Sequence, residues 1–258
     1  MSVVHEHAVF VHGQSVAHRL PGVVKLVALG GFVLAVVATP ATEVWAFVID
    51  GGLLGIAALA ARLEPGLIAR RLLAGLPFLL FACALPFVGG GERVEVGTIT
   101  LSASGLWAAW TILAKGLLCL GASVVVTAST PVSEVLSGLS SLRVPPVLTG
   151  IAGFMIRYLD IISAEAKRMR VAMAARGHRV RWARDGKPLA AAAGMLFVRA
   201  HERGERVYDA MLARGYDGAM PVMTRVAPTR RQWVAGEALP LVACLVAVVA
   251  LMLEAGAA

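Results

Sequence analysis

Cysteine is scarce in this chain, and its placement excludes more than its number does. Cys83, Cys119 and Cys244 fall in three separate apolar segments, with no CxxC pair and no metal-ligand spacing. A disulfide scaffold and a thiolate metal centre are therefore set aside, and each cysteine reads as a small buried hydrophobe. Catalytic signatures are missing too. There is no Walker A loop, no GxSxG elbow, no HExxH pair and no Rossmann glycine fingerprint. No catalytic residue, cofactor motif or resident-metal site is assigned, so the chain reads as a non-enzyme. If ATP is used, the nucleotide site is on another chain. Aromatics supply only 6% of the residues and are sparse in the basic stretch, which argues against a nucleic-acid partner. The first apolar run is followed by no small-residue cleavage pattern, so no cleavable leader is expected.

What the chain has in excess is apolar surface. Of its 258 residues 58% are hydrophobic, and mean hydropathy is +0.77. Several apolar runs approach the ~20 residues that cross a bilayer. They are continuous and not alternating, so helices are expected and a barrel is not. Spans are predicted at Val23–Thr39, Val44–Ala61, Leu72–Val88, Leu106–Val126 and Val234–Leu253. Basic residues outnumber acidic ones by 24 to 16, and 17 of the 24 lie between Arg143 and Arg231. Such a block between spans marks the cytoplasmic side. Arg19 and Lys25 before the first span, and Arg62, Arg70 and Arg71 after the second, give the same orientation. The N-terminus and residues 127–233 are expected to be cytoplasmic, "GGGERVEVGT" (Gly89–Thr98) an outside loop, and the C-terminus outside. The fold class is an all-α polytopic membrane protein. It has about five transmembrane helices plus two long and one short cytoplasmic helices. Three regions follow: 1–126 with four spans, 127–233 cytoplasmic, and 234–258 with the last span.

Residues Pro145–Ile162, "PPVLTGIAGFMIRYLDII", are ambiguous by hydropathy. Arg157 and Asp160 stand in the run, and a charge at a span centre costs ~2.5–3.5 kcal/mol. An amphipathic helix over Val147–Arg176, ~45 Å long, is preferred to a sixth span. Its apolar positions Ile151, Phe154, Tyr158, Ile161, Ile162, Met169 and Met173 fit one helical stripe. Gly177 is its expected C′ residue. A second helix is expected from Pro188 to a stop at Gly215, with a basic loop, "GHRVRWARDGK", between the two. A short helix from about Pro131 to Ser141 precedes both, capped by Ser129 or Thr130.

These two long helices end alike. "AMAARGH" (Ala172–His178) and "AMLARGY" (Ala210–Tyr216) agree at five of seven positions and begin 38 residues apart. One Arg-Gly ending is ordinary helix termination, because Arg suits the negative end of the helix dipole and Gly accepts the left-handed stop. Termination does not explain the shared Ala172/Ala210, Met173/Met211 and Ala175/Ala213. Small residues beside an Arg let a partner backbone approach, and the guanidinium can then fork onto carboxylates or carbonyls. Two like tips suit two like pockets, as on a two-fold symmetric partner or a pair of homologous subunits.

The twin endings resemble the paired Ala-Arg-Gly motifs of the T component of energy-coupling factor (ECF) transporters, which are ATP-binding-cassette importers of vitamins and metals. "TASTPVSEVL" (Thr127–Leu136), "MIRYLDIISAE" (Met155–Glu165) and "ERVYDAMLARGYDG" (Glu205–Gly218) fit in the same order. "HRLPGVVKLVAL" (His18–Leu29) is similar to the family's entry into its first span. The wording around Arg214 is closest to the cobalt-type branch. The resemblance implies a scaffold in the inner (cytoplasmic) membrane. By that carry-over, Arg176 and Arg214, flanked by Ala175, Gly177, Ala213 and Gly215, dock into grooves of two ATPase subunits. The helices would pass ATP-driven movement to a membrane-embedded substrate-binding component, seated on their apolar upper faces. The implied cargo is Co2+, with nickel or a vitamin as the alternatives. No cofactor is implied for this subunit.

Other features remain. His5, His7, His12 and Glu6 could bind cobalt or nickel, but a frayed polar terminus is the preferred reading, and metal selection in the family belongs to another subunit. Asp50 and Lys115 are ionisable groups within spans; they pair with each other or face a water-filled cavity or an interface. Gly30-Gly31 and Gly51-Gly52 permit close helix packing. A conventional permease that lines the substrate path is the rival reading. Its cytoplasmic loop would carry Glu-Ala-Ala and a spaced Gly, but here Glu165-Ala166 is followed by Lys167, with Val171 at the Gly position.

Overall fold

The computed structural model describes residues 15, 17–88, 90, 93–96, 99–177, 186–218 and 228–257. The N-terminal His5, Glu6, His7 and His12, and most of the basic loop, lie outside the described residues. In chain order the elements are α1 (Gly22–Ala38), α2 (Val44–Ala60), α3 (Pro65–Leu72), a 3-10 turn (Leu73–Gly75) and α4 (Leu76–Val88). Strands β1 (Arg93–Val96) and β2 (Ile99–Ser102) follow, then α5 (Ala103–Ser129), α6 (Val132–Ser141), α7 (Pro146–Ala175), α8 (Gly186–Leu212) and α9 (Arg230–Ala257). The protein is an all-α polytopic membrane protein. Its described β structure is one short antiparallel hairpin, with Arg93 opposite Ser102 and Val96 opposite Ile99. The hairpin takes up part of the stretch expected to be an irregular outside loop.

Local chemistry sets the helix ends. Thr39 closes α1 by donating from both its backbone N–H and its hydroxyl to the Ala35 carbonyl, at 3.0 and 2.9 Å. Pro40, which has no N–H to donate, then prevents continuation. Ser102 caps α5 by accepting from Gly105 N–H at 3.2 Å. Pro65 opens α3 in the first turn, where its missing donor costs nothing.

One expected span is rebuilt. The run Leu72–Val88 is not a single helix: the chain enters it through α3, and α3 and α4 meet at 58°. The sequence accounts for the break. Segment Pro65–Leu72 carries Arg70 and Arg71 in its last turn, whereas Leu76–Val88 is almost wholly apolar, so the two halves seek different surroundings. Helices α5, α7 and α9 are long and apolar enough to cross a bilayer, as is the bent α3–α4 pair taken together. At 17 residues each, α1 and α2 stand at the short end of the ~17–25 residue range.

The chain divides into two compact units. The larger holds α1–α5, α6 as far as Gly138, and α9; the smaller is built on α7 and α8. In the larger unit α1 packs on α9 and α5. Phe32, Ala35 and Val36 of α1 meet Phe47, Leu118, Ala122, Ala243 and Ala247 in its core. The many alanines allow near backbone approach, the usual means of helix packing in lipid. Gly22, Gly138 and Gly236 stand where a Cβ would strike Glu134, Val23 and Val24 respectively. Large apolar side chains such as Leu34, Leu80 and Leu245 point outward, a surface that suits acyl chains.

Three ionisable groups in this unit differ from simple expectation. Lys25 is not an exposed topological marker. Its ammonium is buried and donates to the Ser129 carbonyl at 2.8 Å, with Glu134 at 4.0 Å. It ties α1 to the end of α5 and the start of α6. Lys115 does not pair with Asp50. It donates to the Val37 carbonyl at 2.7 Å, near the end of α1, where helical carbonyls lack partners of their own. Asp50 is fully buried, and neither carboxyl oxygen has a hydrogen-bond partner among the described residues. Cys83 is exposed, contrary to the expectation of burial, while Cys119 and Cys244 are half-buried.

Candidate functional site

The twin endings adopt one backbone design. At the end of α8, Gly215 takes φ +82°. Its N–H donates to Leu212 O at 2.9 Å, and Tyr216 N–H reaches back to Met211 O at 3.0 Å. These are the two bonds of a Schellman stop. At the end of α7, Gly177 takes φ +81° and its N–H donates to Ala174 O at 3.0 Å. Arg176 and Arg214 occupy the equivalent place, one residue before the left-handed glycine. The observed helix ends, Ala175 and Leu212, fall within three residues of the expected stops.

Exposure repeats with the backbone. Met173 and Met211 are half-buried, whereas Ala175, Arg176, Gly177, Ala213, Arg214 and Gly215 are all exposed. Neither guanidinium forms a hydrogen bond or ion pair with a described residue. A small residue on one side and a glycine on the other leave each cation open to approach. Nothing lies within 4 Å of a Cβ built on Gly177 or Gly215, so only the positive φ demands glycine there. Gly177→Ala and Gly215→Ala should each cost roughly 1–2 kcal/mol locally. Hydrogen exchange should show faster amides in the last turn of the altered helix, with the rest of the chain unchanged.

The smaller unit is held by a fork that sequence reasoning missed. Glu165 of α7 accepts from Arg199 at 2.8 Å and from Arg203 at 3.4 Å, both on α8. The Arg199 hydrogen bond, joined by the charges of Arg199, Arg203 and Arg168, holds the Glu165 carboxyl below its usual range. A depressed folded-state pKa makes the tie fully present above the ordinary carboxylate range, about pH 4, and lost as pH falls through the depressed value. Glu165→Gln should therefore loosen α8 from α7 at pH 7, read as faster hydrogen exchange along Arg199–Arg206. The same change in the wild type should need a pH below the ordinary carboxylate range. The partners are 34 and 38 residues apart, so no local spacing shows them together. One signal was available: Arg199, Arg203, Arg206 and Arg214 recur at helical intervals on α8.

Beyond the fork, towards the end of α8, the two helices enclose an open groove of about 820 Å3, lined on the α7 side by Phe154, Arg157 and Tyr158 and on the α8 side by residues from Arg203 to Asp217, Arg214 among them. The Arg214 tip thus lies level with the middle of α7. Arg176 lies eighteen residues further along α7 than Tyr158, or ~27 Å at 1.5 Å per residue. The two like tips are well separated on one helix pair.

These features define a class: a polytopic α-helical membrane protein whose distinctive chemistry is a pair of matched, cationic helix ends. Comparison with known proteins narrows the class. The family model described as "Cobalt transport protein", CbiQ, matches residues 13–226. The cobalt transport protein CbiQ of Rhodobacter capsulatus is 30% identical, over 70% of this chain and 90% of that protein. A chain of Methanocorpusculum labreanum named as a fused cobalt transport protein, CbiMQ, is 27% identical over 67% of this chain, which spans 30% of that longer protein. The chain belongs to the CbiQ family of cobalt transport proteins. It is a multi-pass transport protein similar to the ECF T component.

Proposed function

We propose that this chain is the membrane scaffold of an ATP-driven cobalt importer, coupling two ATPase subunits to a membrane-embedded substrate-binding component. One observation carries the reading: two exposed Ala-Arg-Gly tips of the same geometry, ~27 Å apart along α7. A single docking residue would need no twin; two motor subunits would each need one. Family membership supports Co2+ as the cargo, and the fused relative suggests a second membrane module working beside this one. In this mechanism ATP closes the motor pair and shifts the two tips. Arg176 and Arg214 hold the motor by charge-assisted forked bonds. The glycines keep each tip rigid, and α7 and α8, joined through Glu165, carry the displacement to the membrane. The exposed apolar residues of both helices, such as Met155 and Phe197, would seat the substrate-binding component.

The orientation proposed is N-terminus and residues 127–233 inside, with α1, α2, α3–α4, α5 and α9 spanning. A reporter fused to the C-terminus should then be extracytoplasmic. A cytoplasmic C-terminal reporter would make α7 a span. The functional test is ATP-dependent Co2+ uptake by cells carrying the full transporter, with this subunit present or deleted. Unaltered uptake after deletion would reject the scaffold role.

A further inference from the structure

The groove between α7 and α8 is charged more strongly than a docking tip requires. Arg157, Arg203, Arg206 and Arg214 line it, and Asp217 is the acidic side chain among the described lining residues. Arg203 is partly neutralised by Glu165 at 3.4 Å, and Arg206 lies 4.0 Å from Glu202. Arg157 and Arg214 have no ion-pair partner among the described residues. The lining therefore carries a surplus of forked donors, which suit the oxygens of a phosphate ester. Tyr158 and Tyr216 add aromatic edges with hydroxyls, the side chains that settle at a membrane–water boundary.

An apolar track leads out of the groove. On α7, Phe154 and Tyr158 line the groove, and Ile151 and Leu148 stand about one and two turns nearer the N-terminus. Leu148 is 57% and Ile151 53% exposed. A cationic cradle opening onto an uncovered apolar ridge fits an amphiphile. It does not fit a free anion, which has no use for the ridge, or an acidic peptide, which would leave the ridge bare. We propose that this groove binds the phosphate headgroup of an anionic phospholipid, with an acyl chain lying along Ile151 and Leu148. Basic pockets between helices at the cytoplasmic face of a bilayer serve this purpose generally. Bound lipid would hold α8 against α7 at the end opposite the Glu165 fork. The proposal does not depend on the docking reading: Arg157, Arg203 and Arg206 have no part in that, and the headgroup does not need Arg214, the residue assigned to docking.

The test uses the purified full chain, stripped of lipid in neutral detergent. It is titrated with short-chain phosphatidylglycerol, phosphatidylcholine or inorganic phosphate, and bound species are counted by native mass spectrometry. Phosphatidylglycerol should bind at least tenfold more tightly than either of the others. The double variant Arg157→Gln/Arg206→Gln should lose that preference. Arg230→Gln/Arg231→Gln, which removes the same charge outside the groove, should keep it. Equal binding of the two lipids, or equal loss in both double variants, would overturn the proposal. Phosphate binding as tightly as phosphatidylglycerol would assign the groove to a free anion. A groove double variant that keeps the lipid preference, and in a separate co-purification from the full transporter sheds the ATPase subunits, would assign the groove to a protein partner. Either result refutes the lipid site.

Discussion

Arg176→Glu combined with Arg214→Glu should strip both ATPase subunits from the transporter and abolish ATP-dependent Co2+ uptake. Each tip offers one unpaired guanidinium between a small residue and a left-handed glycine, so a partner groove can desolvate it fully. Truncating one member of a buried charge pair costs about 2–5 kcal/mol, or roughly 30-fold to several thousand-fold in affinity, and reversal adds repulsion. Two sites on one scaffold support each other, because engagement of the first makes the second effectively intramolecular. The single variants should therefore weaken co-purification in detergent and the double variant should eliminate it. The fold should survive in all three, since both residues are exposed and neither guanidinium forms a hydrogen bond or ion pair with a described residue. Circular dichroism and gel-filtration profiles matching the wild type would separate lost docking from lost folding.

Gly138→Leu should be the most damaging single change to the fold itself. A Cβ on Gly138 would lie 2.9 Å from Val23 N and 3.0 Å from Gly22 C. Those are backbone atoms of α1, which cannot swing aside as a side-chain end can. The contact also lies beside the buried Lys25 ammonium, whose 2.8 Å bond to Ser129 O ties α1 to the end of α5. Pushing α6 from α1 would draw its Glu134, 4.0 Å from that ammonium, away from the buried cation. Overpacking of this kind costs about 1–3 kcal/mol and sometimes more, and a buried ammonium drawn from its counter-charge adds to it. Thermal unfolding in detergent should show a large fall in midpoint or no folded yield. Gly204→Ala is the contrasting change. Gly204 lies inside α8 with open space around it, and replacing glycine in a helix interior should gain up to about 1 kcal/mol.

Helix positions were legible because apolar runs and their breakers are local. Pro40 and Gly215 mark their boundaries without reference to the rest of the chain. Thus α1, α2 and α6 lie within one residue of the segments read from the sequence. The twin tips were legible for the same reason, since a C-terminal stop is written in the few residues that make it. What escaped was whatever depends on long-range partners. The kink between α3 and α4 follows from the different surroundings of their two halves. Lys25 counted as a topological charge until its partner Ser129, 104 residues away, was seen. Asp50 and Lys115 invited pairing because both sit within spans, yet the ammonium goes to a helix-end carbonyl instead. The Glu165 fork and the arginine groove join residues 34 to 63 positions apart, a distance at which periodicity says nothing about contact.

The most direct measurement places a photoreactive amino acid at position 176 or 214 of the full transporter in native membranes and identifies what it captures. The account predicts that each position cross-links an ATPase subunit, and that the captured surface changes when ATP is added. Cross-links to lipid or to an extracytoplasmic protein, with no ATPase captured from either position, would contradict it.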